Sequence, residues 1–383
     1  MSSAGASGEA GARTVLFAEV PAFYAAVERM DDPDLAERPV IVGGDPRKGG
    51  RVQSASAEAV AAGVVEGMPI LEALERCPRA RAVRTHMRRY REVAAQLRSC
   101  LREGVERLEP AGLEGAFLDA TELVGSGAAK QEAAAGEGEA EPVASPELLA
   151  ESLRRRVGEG LGLPLRVGIA SVKFLAKLAA EEAGEGGLVR VLPGCELSFL
   201  GPLAVARLPG VGPKTEATLR ELGVEQVAGI LSLEPARLEE CLGNHGLRIR
   251  DYARGIDDSS VRAVRHPKSL GQEHTFDEAQ VDTQLMEDCL GRLARSAESA
   301  LDRQGLRALR VAVKVRYGDQ EVATRSRTLA QPVAGAAEIA AVASRLLRRT
   351  HAGVRPIRSL GLTLSQLAPR GELGPQLELF DGS

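Results

Sequence analysis

LFAEVPAFYAAVE, residues Leu16 to Glu28, carries two periodicities in thirteen positions. Val15, Leu16 and Phe17 make a short apolar run that ends at Glu19, as a buried strand would. Pro21 then breaks the run, and Phe23, Tyr24 and Val27 recur at helical spacing, so the segment predicts a strand that turns directly into a helix. A carboxylate is thereby placed at the end of a buried strand, beside a turn.

Segments of similar character follow along the chain: RPVIVGGDP (Arg38 to Pro46), GMPILEALERCP (Gly67 to Pro78), RYREVAAQL (Arg89 to Leu97) and SVKFLAKLAA (Ser171 to Ala180). Further on come LPGVGPKT (Leu208 to Thr215), ARGID (Ala253 to Asp257), KSLGQEHTF (Lys268 to Phe276) and SLGLTLSQL (Ser359 to Leu367). With the opening stretch, and in this order, they resemble the Y-family translesion DNA polymerases, the DNA polymerase IV-like group, over about residues 14 to 367. The resemblance implies an α+β, multidomain right-hand polymerase fold with palm, fingers, a helical thumb carrying a helix-hairpin-helix, and an α/β little finger.

Bulk properties narrow the function classes. At 383 residues the chain can bury several separate cores. A net charge of -4 argues against a protein that coats nucleic acid through sheer basicity, so any DNA contact must come from local charge. Cys77, Cys100, Cys195, Cys241 and Cys289 form no C-x-x-C and have no His at metal-ligand spacing, which predicts buried thiols in a reducing cytosol. MSSAGASGEAGAR lacks an apolar signal core, and no later run approaches a membrane span, so a cytoplasmic protein is expected, and the resemblance implies a bacterial, nucleoid-associated one.

The expected organisation is a disordered leader (1–13), the first palm segment (14–30), fingers (31–88) and the second palm segment (89–187). A thumb (188–255), a polar linker (256–267), a little finger (268–367) and a tail (368–383) complete it. In the second palm segment Val93, Leu97, Leu101, Val105 and Leu108 fall on one helical face. Residues 125–145 have no apolar period and are rich in Gly, Ala and Glu, which predicts a flexible insertion.

Gly210 and Gly212, followed by Lys214, predict a tight turn whose backbone amides approach a phosphate at a helix N-terminus, with an inter-helix turn as the plainer account. Arg310, Lys314 and Arg316 fall on one face of an alternating strand, and Arg325 and Arg327 share a face of another. Residues 262–358 hold 17 Lys and Arg against 11 Asp and Glu, the sign needed to track a duplex. A solvated basic face is the alternative. Near the end, Gln376, Leu377, Leu379 and Phe380 resemble the peptide by which bacterial polymerases bind the sliding clamp. An apolar cluster at a polar terminus also requires a pocket in a partner or on its own domain.

Nucleotidyl transfer uses two divalent ions bridged by carboxylates. The family supplies an Asp-x-Asp on the first strand and an Asp-Glu pair on a hairpin, and here those positions hold Glu19, Pro21, Glu114 and Gly115. Gly115 offers no ligand, each Glu adds a methylene that an octahedral Mg2+ site tolerates poorly, and Pro21 removes an amide donor and stiffens the turn. The family's Tyr-x-x-Arg triphosphate clamp becomes Ala57 and Val60. Lys173 stands at its phosphate-binding lysine and Tyr24 at its sugar-discriminating position, after Phe23, with packing between palm and fingers the favoured role of both rings.

Losing the bridge and the clamp raises the barrier by several kcal/mol each, or roughly a thousandfold in rate or more at ~1.4 kcal/mol per tenfold. The expectation is therefore a polymerase fold without useful polymerase activity and without a cofactor. It would be a monomeric accessory factor in translesion synthesis and repair that binds primer-template or damaged DNA and the clamp, and recruits an active translesion polymerase. An active polymerase using Mg2+ or Mn2+ at Glu19 and Glu114 remains open, as does a clamp-bound scaffold or competitor with little DNA affinity.

Overall fold

The computed structural model describes residues 13–103, 105, 107–123, 145–263 and 267–369. The expected leader up to residue 12, nearly all of the insertion and the Gln376 to Phe380 peptide lie outside the described residues, whereas Arg13, expected in the leader, is held by the chain near Asp257. The chain forms two compact units, residues 1–264 and 265–383.

The first unit is built on a five-stranded sheet. Its strands are β1 (Val15–Glu19), β5 (Arg107–Ala111), β6 (Gly115–Asp119), β7 (Arg166–Ala170) and β8 (Leu188–Arg190), in the order β5-β6-β1-β7-β8. β1 lies at the centre and pairs antiparallel with β6 on one side and β7 on the other. All five of its residues are buried, and alternate side chains serve two cores. Leu16 and Ala18 join Val93, Leu97, Leu101, Leu149 and Leu153, from the helices Met87–Arg102 and Pro146–Leu161, on one face. Val15 and Phe17 join Phe174, Leu175 and Leu178 of the helix Lys173–Glu182 on the other.

Two local expectations change. The helix that starts at Met87 stops at Arg102, because Glu103 takes extended backbone, so Leu108 completes the same core from β5. The apolar spacing continued past the helix because helix and strand feed one core. Leu188–Arg190 is the fifth palm strand, parallel to β7, and not the start of the thumb.

A smaller sheet of β2 (Val40–Gly43), β3 (Val52–Ala55) and β4 (Arg81–Arg84), in the order β3-β2-β4, forms the fingers over the core of Ile41, Val52, Ile70 and Ala73. Five helices, Glu196–Leu200, Pro213–Glu221, Val227–Ser232, Pro235–Leu242 and Asn244–Ala253, form the thumb, and their Leu200, Leu219, Ile230, Leu238 and Ile249 extend the second palm core. The segment expected as a polar linker is held on this unit. Arg13 donates to the carbonyls of Asp257 and Ser259, the Arg262 amide donates to Glu109 at 2.9 Å, and Val261 is buried.

The second unit is a four-stranded antiparallel sheet of β9 (Ser269–Gln280), β10 (Leu306–Tyr317), β11 (Val322–Val333) and β12 (Ile357–Pro369), in the order β11-β10-β12-β9. The helices Thr283–Gln304 and Ala336–Leu347 cover one face, over Val311, Val313, Leu360 and Leu362. All five cysteines are free; Cys77 and Cys289 are buried, whereas Cys195 is exposed, contrary to expectation. Among the described residues no helix is long and apolar enough to cross a membrane.

Candidate active site and nucleic-acid interface

The end of β1 opens onto a cleft of about 450 Å³. Glu19, Pro21, Phe23, Tyr24 and Glu114 line it, together with Gln53, Ser54, Glu66, Arg166, Lys177 and Glu181. The turn between strand and helix is tight: after Pro21, Ala22 takes the left-handed conformation (φ 47°, ψ 44°) and starts the helix Phe23–Asp31. A side chain is rarely held there, and the strain is of order 1 kcal/mol.

Glu19 projects to the same side as Val15 and Phe17, and its side chain is 9% exposed. The β1–β7 register sets Arg166 opposite it; the guanidinium donates from Nε to Oε1 at 2.9 Å, and Nη2 lies 2.6 Å from the same oxygen as an ion pair. Burial nonetheless raises the Glu19 carboxyl above its ordinary range, against the pull of Arg166. Glu114 is turned back on its own loop, accepting from the Leu113 amide at 2.9 Å. Gly115 pairs with Glu19 across the β1–β6 ladder, and a Cβ on it would lie 2.5 Å from the Ala18 carbonyl oxygen and 2.7 Å from the Glu19 Cβ. The place of a further carboxylate is therefore closed by backbone as well as vacated by sequence.

These donors do not fit a pair of bridged divalent ions. One carboxylate already accepts from an arginine, the second is committed to its own loop, and the third and fourth positions carry none. Among the described residues no group of three or more His, Cys, Asp or Glu could hold a metal ion.

Lys173 does not face this cleft. Its ammonium pairs with the buried Glu109 at 2.7 Å and lies 4.9 Å from the centre of the Phe117 ring. Lys177, one helical turn on, lines the cleft in its stead. Phe23 is buried in the palm core, and Tyr24 stacks on Tyr90 with ring centres 4.4 Å apart and planes 9° from parallel. Burial and the nearby Glu114 and Glu66 raise the Tyr24 hydroxyl pKa. Ala57 and Val60 line a neighbouring cavity of about 700 Å³ with Ala25, Ala26 and Met30, walls that offer no hold for a triphosphate at those two positions.

Arg166, Lys177 and Glu181 escaped the sequence reading. Lys173, Lys177 and Glu181 do recur at four-residue spacing, a charged stripe on one helix face. Arg166 could be found only from the strand pairing.

In the thumb, Gly210 has φ +81°, and its carbonyl accepts from the His245 Nε2–H at 2.9 Å, while Gly212 caps the helix Pro213–Glu221, which carries an exposed Lys214. In the second unit Arg310, Lys314 and Arg316 share the sheet face opposite the helices, beside Thr324, Ser326, Thr328, Ser359 and Thr363. Arg325 and Arg327 do share a face, but it is the other one: they pair with the buried Val313 and Val311, and Arg325 donates to the Arg349 carbonyl beyond the helix Ala336–Leu347.

A palm sheet with a cleft at the end of its central strand, small fingers and a helix-hairpin-helix thumb together define a polymerase of the right-hand kind. The chain belongs to the Y-family DNA polymerases. Residues 19–181 match the impB/mucB/samB family, residues 193–224 the IMS family HHH motif, and residues 267–379 the impB/mucB/samB family C-terminal domain. It is 37% identical to DNA polymerase IV of Halorhodospira halophila, over 94% of this chain and 96% of that one. It is 36% identical to DNA polymerase IV 2 of Agrobacterium fabrum, over 96% and 99%. A Y-family DNA polymerase chimera, Dbh-Dpo4(243-245)-Dbh, shares the fold with a TM-score of 0.78 at 23% identity, over 93% of this chain and 99% of that one.

Proposed function

We propose that this chain keeps the Y-family body for holding DNA and has given up nucleotidyl transfer, acting as an accessory factor in translesion synthesis. One observation carries the proposal: the only acidic side chain on the central strand is spent on Arg166, and its ladder partner is a glycine with no room for a side chain. No metal is expected in the cleft. DNA binding is supported by the DNA polymerase IV relatives and assigned to the Gly210 to Lys214 hairpin and the Arg310, Lys314, Arg316 face. The Gln376 to Phe380 peptide would tether the chain to the sliding clamp at the bacterial nucleoid and bring it beside an active polymerase.

The names of the relatives favour a second reading, an active DNA polymerase of divergent site. Primer extension on an undamaged primer-template, with Mg2+ and then Mn2+, beside a gel shift on the same DNA, separates the two. A shift without extension is the expected result. Extension that disappears on Glu19→Gln would overturn the proposal, and neither shift nor extension would leave a clamp-bound scaffold.

A further inference from the structure

We infer that Arg166 is a built-in counter-cation, holding Glu19 where a divalent ion would otherwise sit and keeping such an ion out of the cleft. The inference rests on the loss of metal-dependent transfer proposed above and goes a step further, naming the residue that takes over the ion's electrostatic role. Arg166 and Glu19 are cross-strand partners, so rigid sheet backbone, rather than a mobile loop, fixes the approach of the two charges. The Arg166 side chain is 22% exposed and the Glu19 side chain 9%, so solvent screens the contact poorly.

Two guanidinium nitrogens close on one oxygen, Oε1. A divalent ion would have to displace a charge-assisted hydrogen bond and a close ion pair, and then sit against a fixed positive charge. The rest of the lining explains why a cation is needed there at all. Glu19, Glu66, Glu114 and Glu181 face the same cleft, with Lys177 as the other cation. Carboxylates crowded in a half-buried space repel one another and need a counter-charge. Glu181 already pairs with Arg207 at 3.0 Å and Glu114 accepts from its own loop, so Arg166 is the cation that contacts Glu19, and without it Oε1 of Glu19 would be freed to ligate.

The test is Mn2+ binding, followed by the paramagnetic signal of the free ion and by thermal unfolding with and without Mn2+. The wild type is expected to hold no Mn2+ in the cleft and to unfold at the same temperature with or without it. Arg166→Ser is expected to gain a Mn2+ site and a higher unfolding temperature when Mn2+ is present. Arg166→Lys, which keeps the charge, should behave as the wild type, and Glu19→Gln added to Arg166→Ser should abolish the new site.

Mn2+ bound by the wild type and lost on Glu19→Gln would overturn the inference, as would a folded Arg166→Ser that binds none. Should Arg166→Ser fold only with metal present, Glu19→Gln must restore metal-free folding. Failure of that rescue would make Arg166 a packing residue and sink the idea. Primer extension by the wild type would instead sink the underlying function, and a metal-inert Arg166→Ser with no extension would remove this inference alone.

Discussion

Gly115 shows how a lost carboxylate becomes difficult to restore. Once the position is glycine, the strands settle until the Ala18 carbonyl oxygen stands 2.5 Å from where a Cβ would be. Backbone, unlike the end of a flexible side chain, cannot step aside alone, so Gly115→Ala is expected to destabilise the first unit by about 1–3 kcal/mol, as overpacking does. Gly115→Glu should cost at least as much. Urea unfolding of the two variants measures this, and an alanine variant as stable as the wild type would show that β1 and β6 can part freely. Shortening Glu19 to Asp in the same chain brings no relief, because the contact is to Cβ and backbone, which Asp retains. A set of substitutions that rebuilds the family's acidic pattern must therefore shift β6 and remove Arg166 as well.

The helix Lys173–Glu182 carries the cleft's Lys177 and Glu181, and its height above the sheet is set by one residue of β7. A Cβ at Gly168 would lie 2.0 Å from the Ala176 carbonyl oxygen and 2.3 Å from the Ala180 nitrogen, so the helix backbone rests directly on the strand. Gly168→Ala is expected to lift the helix and to cost about 1–3 kcal/mol, with Lys177 and Glu181 displaced from the cleft. Chemical denaturation gives the cost, and a variant of unchanged stability would mean that the helix can slide. The elements themselves were legible: the strand-to-helix switch at Pro21, the inward Phe174, Leu175 and Leu178, and the alternation of β10 all follow from periods of 3.6 and 2. Partners across a sheet were not. Periodicity says which residues of one strand share a face, and the strand order that sets Arg166 against Glu19 comes from long-range pairing.

Across the whole chain the same gap between period and pairing decides where DNA should lie. Arg310, Lys314 and Arg316 were assigned to one face from sequence, and so were Arg325 and Arg327, yet the β10–β11 register puts the two groups on opposite sides of the second unit's sheet. The open side is suited to a backbone. Its basic stripe is flanked by Thr324, Ser326, Thr328 and Thr363 and by Gly271 and Gly361, small residues that let phosphates approach the strands, while Glu273 on the same face lies 3.8 Å from Lys314 and holds the buried Ser359 hydroxyl. Arg325 instead donates to the Arg349 carbonyl on the helical side.

A net charge of -4 gives the chain no general attraction to polyanions, so binding should rest on a few local phosphate contacts and its salt dependence should count them. Each phosphate contact adds roughly 0.9 to the slope of log affinity against log salt for duplex DNA. Replacing Arg310, Lys314 and Arg316 together by alanine is expected to flatten that slope by about 2 to 3. Arg325→Ala with Arg327→Ala should leave it nearly unchanged. Fluorescence anisotropy on a labelled primer-template across a salt series measures both. The opposite ranking would place the duplex along the helical side and edge strand β11, and a slope unmoved by either set would assign the contacts to the thumb hairpin at Gly210, Gly212 and Lys214.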